Sequence, residues 1–371
     1  MSTGSPPGGR VPSAPPPRPG LRGLSPLGFG GAPAGNLFTA VEDATCAAAV
    51  DAAWDAGIRY LDTAPHYGLG LSERRLGRAL AGRPRDGFTL STKVGRLLVP
   101  SPQDAHTPDP AGFVVPATHR RVWDFSTDGV RRSLEDSLVR LGLDRVDVVY
   151  LHDPDDHWEQ ASREALPALT DLRDQGVVAA VGVGMVRTPL LTRFVRETDV
   201  DVVMCAGRYS LVDHTALDDL LPAAQERGVA VVLVGVYGSG LLATDRPARD
   251  AVFDYAAAPP ALVARVHRIA DLCEDLGVTV PQAALAFVRA HPAVVSTVLG
   301  LRDAGEVAEA VRRAETVVPD ALWPALRAAG LIPDSAPTPD RRPAAQPITP
   351  APGRHDAPDR TTDPAPTRAG G

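Results

Sequence analysis

The chain has 371 residues, and 45 acidic against 38 basic side chains leave a formal net charge of −7. No basic run is long enough to grip a nucleic acid, no apolar run is long enough to cross a membrane, and Met1–Gly20 lacks the apolar core of a secretory signal. The three cysteines (Cys46, Cys205, Cys273) stand far apart with no CxxC pair, which fits reduced thiols in a cytoplasmic protein.

Residues 1–20 are mostly Pro, Gly, Ser and Arg, and residues 334–371 are Pro-rich and polar. Neither end can bury enough to offset its ordering entropy, so both are expected to be disordered tails. Residues 21–333 remain as a single domain, enough for a barrel of about 250 residues with insertions.

Within that span short β-rich runs alternate with amphipathic stretches. Leu27–Gly30 precedes a helical pattern over Glu42–Ala56. Arg59–Asp62 precedes Ser72–Leu80, with Ser72 placed to cap it. Thr89–Lys93 is followed by a long Pro-containing segment, Leu97–Phe125, and then by the helical Thr127–Leu141. Asp147–Leu151 leads to Glu159–Gln175, and Ala180–Gly184 and Val202–Ala206 lead to Asp213–Glu226. Ala230–Val236, the helical Ala261–Leu276, Ser296–Leu299 and the helical Asp303–Ala314 complete the series. Gly57, Gly142, Gly176, Gly228 and Gly277 stand where these helices should stop. Strand–helix alternation implies a parallel sheet, and eight strands favour a closed (β/α)₈ TIM barrel over an open doubly wound sheet. The 97–125 segment leaves the C-terminal end of its strand. Its length and position favour a lid or substrate-selecting loop over an unstructured insertion.

Asp62, Tyr67, Lys93 and His152 all lie at or just past C-terminal strand ends, which converge on one face of such a barrel. A phenol, an ammonium, a carboxylate and an imidazole together can move a proton to or from a carbonyl oxygen. Lys93 would lower the Tyr67 pKa from its ordinary value near 10. Asp62 would hold the ammonium, and His152 would hydrogen-bond the substrate oxygen. Taken singly each has a plainer role: a turn cap for Asp62, a loop aromatic for Tyr67, a snorkelling strand end for Lys93. His152 could be a structural pair; a metal site is not expected, because no second histidine stands at useful spacing.

Gly57–Glu73, Ser91–Gly95 and Asp147–His152 resemble, in order and spacing, the motifs of the aldo-keto reductase family, and residues 21–330 look like a member. Within it His66–Glu73, His152–Asp156 and Ala206–Tyr209 are most similar to the D-threo-aldose (L-fucose) 1-dehydrogenase group. The resemblance implies a nicotinamide-dependent oxidoreductase with Asp62, Tyr67, Lys93 and His152 as its tetrad. It acts on C1 of a small aldose, giving a lactone, or on a related aldehyde or alcohol. The cofactor is expected on Ser239, Gly240 and Leu241 after the seventh strand and on Gly300, Leu301, Arg302 and Glu306 after the eighth, where backbone N–H groups and a helix N-terminus favour phosphate. Gly184, Met185 and Ala206 stand where many members carry Ser, Asn and Gln for the nicotinamide carboxamide, so Arg208 or backbone groups would substitute. Glu306 would repel a 2′-phosphate and Arg302 is the only nearby cation, which favours NAD over NADP. Trp123, Asp153 and Trp158 are the substrate-side candidates. Three other readings stand beside this one: a reductase of aldehydes such as pyridoxal, a Schiff-base aldolase using Lys93, and a slow-turnover redox-sensing binder. No membrane or nucleic-acid partner is expected, and the oligomeric state is not readable.

Overall fold

The apolar runs become eight short parallel strands that close on themselves. The structure, a computed structural model, describes residues 19–341 except Arg22; the rest of the expected tails lies outside the described residues. The barrel strands are β1 (Leu27–Gly30), β2 (Tyr60–Asp62), β3 (Thr89–Val94), β4 (Val148–His152), β5 (Ala180–Met185), β6 (Val202–Ala206), β7 (Ala230–Val234) and β8 (Val294–Gly300). Each pairs in parallel with its sequence neighbours, and β8 returns to β1 with Gly300 beside Gly30. This is the expected (β/α)₈ barrel. Alternate residues point to opposite faces of a strand. Tyr60, Val148, Tyr150, Val202, Met204, Val232 and Val298 therefore fill the barrel, with Leu21 packed among them. Leu61, Leu90, Val149, Val203 and Val231 pack outward with the helices.

The helices depart from expectation where side chains compete with the backbone. Ser72 does not cap: the helix starts at Leu71, and the buried Ser72 hydroxyl donates to the Gly31 carbonyl (2.7 Å). Over 213–226 only Leu220–Arg227 is α-helical. Asp213 instead accepts from the backbone N–H and hydroxyl of Thr215 (3.0 and 2.7 Å), a local turn that outbids the helix. The 159–175 stretch opens into a π-turn over Ala161–Ala165 just before Pro167, which has no N–H to give.

The 97–125 segment is ordered. Arg96–Pro100 pairs antiparallel with His119–Trp123, and isolated bridges join Leu37 to Phe113 and Pro108 to Pro116. Packing also continues past Pro333: Ala336 and Thr338 are buried, and Arg327 bonds Thr338 and Asp340. Residues 334–341 thus belong to the folded body. Among the described residues no helix is long and apolar enough to cross a membrane.

Candidate active site

Asp62 and His152 end β2 and β4, Lys93 stands one residue before the end of β3, and Tyr67 follows β2 in the next turn. Tyr67 is held where it is by a close backbone crossing. A side chain on Gly35 would meet the Tyr67 carbonyl carbon at 2.6 Å, and one on Gly68 would meet the Gly35 carbonyl oxygen at 2.2 Å. Gly68 also has φ +62°, so it satisfies both demands at once.

Lys93 Nζ donates to Asp62 Oδ2 (2.6 Å), to the Thr63 carbonyl (2.9 Å) and to the Tyr67 hydroxyl (3.1 Å). All three of its donor positions are filled, although Lys93 is only 2% exposed. Burial works against its charge, but Asp62 and then Tyr67 outweigh that and hold the ammonium above its ordinary pKa. A Schiff-base amine must lose that proton, so these surroundings oppose the aldolase reading. Burial raises the Tyr67 phenol above its ordinary value. Lys93 pulls it down, as expected, but less strongly.

The His152 ring lies edge-on to Tyr67, with ring centroids 5.9 Å apart. Burial first, then Arg96 and Lys93, drives its pKa well below the ordinary value, so it is neutral. Its Nδ1 is buried without a hydrogen-bond partner, while Nε2 stands 3.7 Å from Asp153 Oδ2. A buried unpaired N–H costs more than an unused lone pair. The proton therefore sits on Nε2, and His152 can donate a hydrogen bond.

On the substrate side Asp153 (φ +45°) pairs with Arg96, which stacks over the Trp123 ring at 4.3 Å and meets His66 Nδ1 at 3.3 Å. Burial and the neighbouring Arg96 and Arg121 hold His66 neutral, with its pKa lowered to about 2. Phe113 is buried against His66 and Tyr67. Arg121 bonds both oxygens of Asp109 (2.6 and 2.7 Å) and the His66 carbonyl (2.8 Å). Asp153 thus borders the tetrad, and Trp123 lies behind Arg96 against Phe125 and His157. Trp158 does not: it packs on Phe194 (ring centroids 4.6 Å) under the Arg193 guanidinium. Trp158 lies beyond the strand, at the first position of a short helical turn, so the strand's period says nothing of its direction.

A cavity of about 1040 Å³ runs from Asp62 and Tyr67 outward between the ends of β7, β8 and β1. Ser239, Gly240, Gly300, Leu301, Arg302, Glu306, Arg208 and Ala206 line it. Leu241 is the exception among the expected contacts, a 1% exposed core residue. Arg302 is not the only cation at the far end, because Arg313 lines the same wall. Both are paired: Arg302 Nε with Glu306 (2.7 Å) and Arg313 Nε with Glu309 (2.6 Å). Glu306, Glu309 and Arg313 recur at helical spacing, a signal that could have found Arg313. Arg208 faces the cavity but is pinned by Asp254 (2.7 Å) and Asp213 (3.3 Å). Phe38, Tyr237 and Tyr255 also line it and carried no motif. A cavity of this volume that reaches Asp62 and Tyr67, is lined by loop glycines and aromatic rings and carries Arg302 and Arg313 suits an extended dinucleotide.

The chain belongs to the aldo/keto reductase family, whose model matches residues 26–330. It is an NAD(P)-dependent oxidoreductase. It is 46% identical to D-threo-aldose 1-dehydrogenase from a Pseudomonas species over 314 residues, covering 83% of this chain and 94% of that one. Pyridoxal 4-dehydrogenase from Microbacterium luteolum is 38% identical over 326 residues, covering 83% and 95%. Among solved structures, the glycerol dehydrogenase of Gluconobacter oxydans superposes with a TM-score of 0.69 at 26% identity, covering 85% and 95%.

Proposed function

We propose that the chain oxidises the C1 hydroxyl of a small, uncharged aldose to a lactone, with NAD as the preferred cofactor. The observation that carries this is the Lys93 ammonium shared between Asp62 and Tyr67 beside a neutral His152, at the inner end of the long cavity. The nicotinamide, when bound, accepts or supplies the hydride. Tyr67 takes the hydroxyl proton in oxidation and returns it in reduction, while Lys93 favours the phenolate that oxidation needs. His152 Nε2–H holds the reacting oxygen. Ser239, Gly240, Gly300, Leu301, Arg302, Glu306 and Arg208 are the cofactor contacts.

The cations around the tetrad are each matched by a carboxylate: Lys93 by Asp62, Arg96 by Asp153, Arg121 by Asp109. That balance favours a neutral polyol over a phosphorylated or acidic sugar, with Asp153 as its hydrogen-bonding partner. At the other arginines Glu306 pairs with Arg302 and would repel a 2′-phosphate, while Glu309 is shared between Arg312 and Arg313. The test is kcat/KM for L-fucose, D-arabinose, L-galactose, pyridoxal and simple aldehydes with both cofactors. Aldoses with NAD should lead. A lead for pyridoxal or an aldehyde overturns the substrate assignment, a lead for NADP overturns the cofactor preference, and turnover too slow to follow favours a redox-sensing binder.

A further inference from the structure

Beneath the tetrad lies a second layer of side chains with hydroxyl groups. Strand side chains repeat every two residues. Tyr60 therefore sits one layer below Asp62 on β2, Ser91 below Lys93 on β3, and Tyr150 below His152 on β4. All three are buried with no exposure. Ser91 Oγ bonds Asp62 Oδ1 at 2.7 Å, Tyr60 OH bonds Ser91 Oγ at 3.0 Å, and Tyr150 OH bonds Tyr60 OH at 3.2 Å.

The direction of this chain follows from counting protons. An ionised carboxylate only accepts, so the single Ser91 proton goes to Asp62. The Leu61 carbonyl, at 3.5 Å, is too distant to compete for it. Tyr60 must then donate to Ser91 and Tyr150 to Tyr60. The hydroxyls run one way, Tyr150 to Tyr60 to Ser91 to Asp62, and end on the charge. A bond to a carboxylate is the strong kind, and each donor polarises the next. Asp62 is thus gripped on Oδ1 from below and on Oδ2 by Lys93.

We propose that Ser91, Tyr60 and Tyr150 are positioning residues that fix the Asp62 carboxylate, and through it the Lys93 ammonium, against the Tyr67 hydroxyl. This rests on the assignment of Tyr67 as the proton-transfer group. Without Ser91, Asp62 can turn and Lys93 loses its register with Tyr67. The phenolate is then less favoured, and oxidation needs a higher pH.

The test is steady-state oxidation of the best aldose across a pH series with the full chain and the variants Ser91→Ala, Tyr60→Phe, Tyr150→Phe, Ser91→Ala/Tyr60→Phe and Tyr67→Phe. Each Tyr→Phe change removes one oxygen and keeps the ring in place. Expected are a kcat loss of about 10- to 100-fold for Ser91→Ala, within the range of proton-transfer catalysis, and smaller losses for Tyr60→Phe and then Tyr150→Phe. The cofactor KM should not move. The apparent pKa of the rising limb should climb by about one unit in Ser91→Ala, since that much follows from modest loss of interaction with the charge. The double variant should match Ser91→Ala, because Tyr60 acts only through Ser91. An unmoved pH profile in Ser91→Ala, or additive losses in the double variant, overturns the proposal. Wild-type turnover in Tyr67→Phe would instead overturn the assignment beneath it.

Discussion

Tyr67 stands between two opposed influences, and their balance sets its pH behaviour. Burial raises its pKa and Lys93 lowers it, with burial the larger, so at neutral pH the phenol keeps its proton. It is a ready acid for reduction and must be deprotonated for oxidation. We expect kcat/KM for oxidation to rise with pH from 7 to beyond 9, and that for reduction to stay level over the same span. His152 titrates far below its ordinary range, so neither profile should bend near pH 6.5. A bend there in stopped-flow or steady-state profiles would show that His152 acts as a cation. Tyr67→Phe should lower kcat by about 10²- to 10⁴-fold while NADH still quenches protein fluorescence. The four tetrad residues were legible because strand ends have a fixed direction. The sign of the Tyr67 shift was not, since a motif shows the neighbouring ammonium but not the depth of burial. Trp158 failed for a related reason: it opens a helical turn past the strand, and the motif does not say which way that turn aims its indole.

The barrel strands were legible as apolar, β-branched runs, and their bounds moved by two residues at most. The hairpin over the site was not. Arg96–Pro100 does carry an apolar run, with Leu97 buried, but its partner His119–Trp123 is mostly polar and partly exposed and lies some twenty residues on, so no pairing strand stands out. Val280–Val288 escaped for the opposite reason. It is buried nearly all round, so no polar face reveals its period. The hairpin is tied to the site through Arg96, which pairs with Asp153 and meets His66, and through Arg121, which joins Asp109 to the His66 carbonyl. Arg121→Met should free that tie. Limited proteolysis should then cut within 97–123 faster than in the wild type, and the sugar KM should rise about tenfold with cofactor affinity unchanged. A cleavage pattern identical to wild type would show that Arg96 and the bridge at Phe113 hold the hairpin without it.

At the scale of the molecule, the cofactor cavity lies along the joint that closes the ring. Its walls come from β1 (Gly30) and the loop after it (Gly31, Pro33), from the Gly235–Gly240 loop after β7, and from β8 and the turn beyond it. The two lips of that joint, Leu27–Gly30 and Thr297–Gly300, are some 270 positions apart in sequence and are held by ladder bonds, with the Ser296 hydroxyl donating to the Ser25 carbonyl (2.7 Å). During synthesis the first strand must wait, its edge unpaired, until almost the whole chain has been made. On the proposed cofactor placement, the nucleotide site forms only once β8 has closed on β1, and a dinucleotide lying across the joint would act as a clasp on the closed ring. Its stabilising effect should concentrate there. Hydrogen exchange with and without NADH should show the largest slowing at Leu27–Gly30 and Val294–Gly300 and little change at β4 and β5. Uniform protection around the ring would mean that the clasp and the joint are independent. Slowing confined to that joint would mean that opening this barrel and releasing its cofactor are one event.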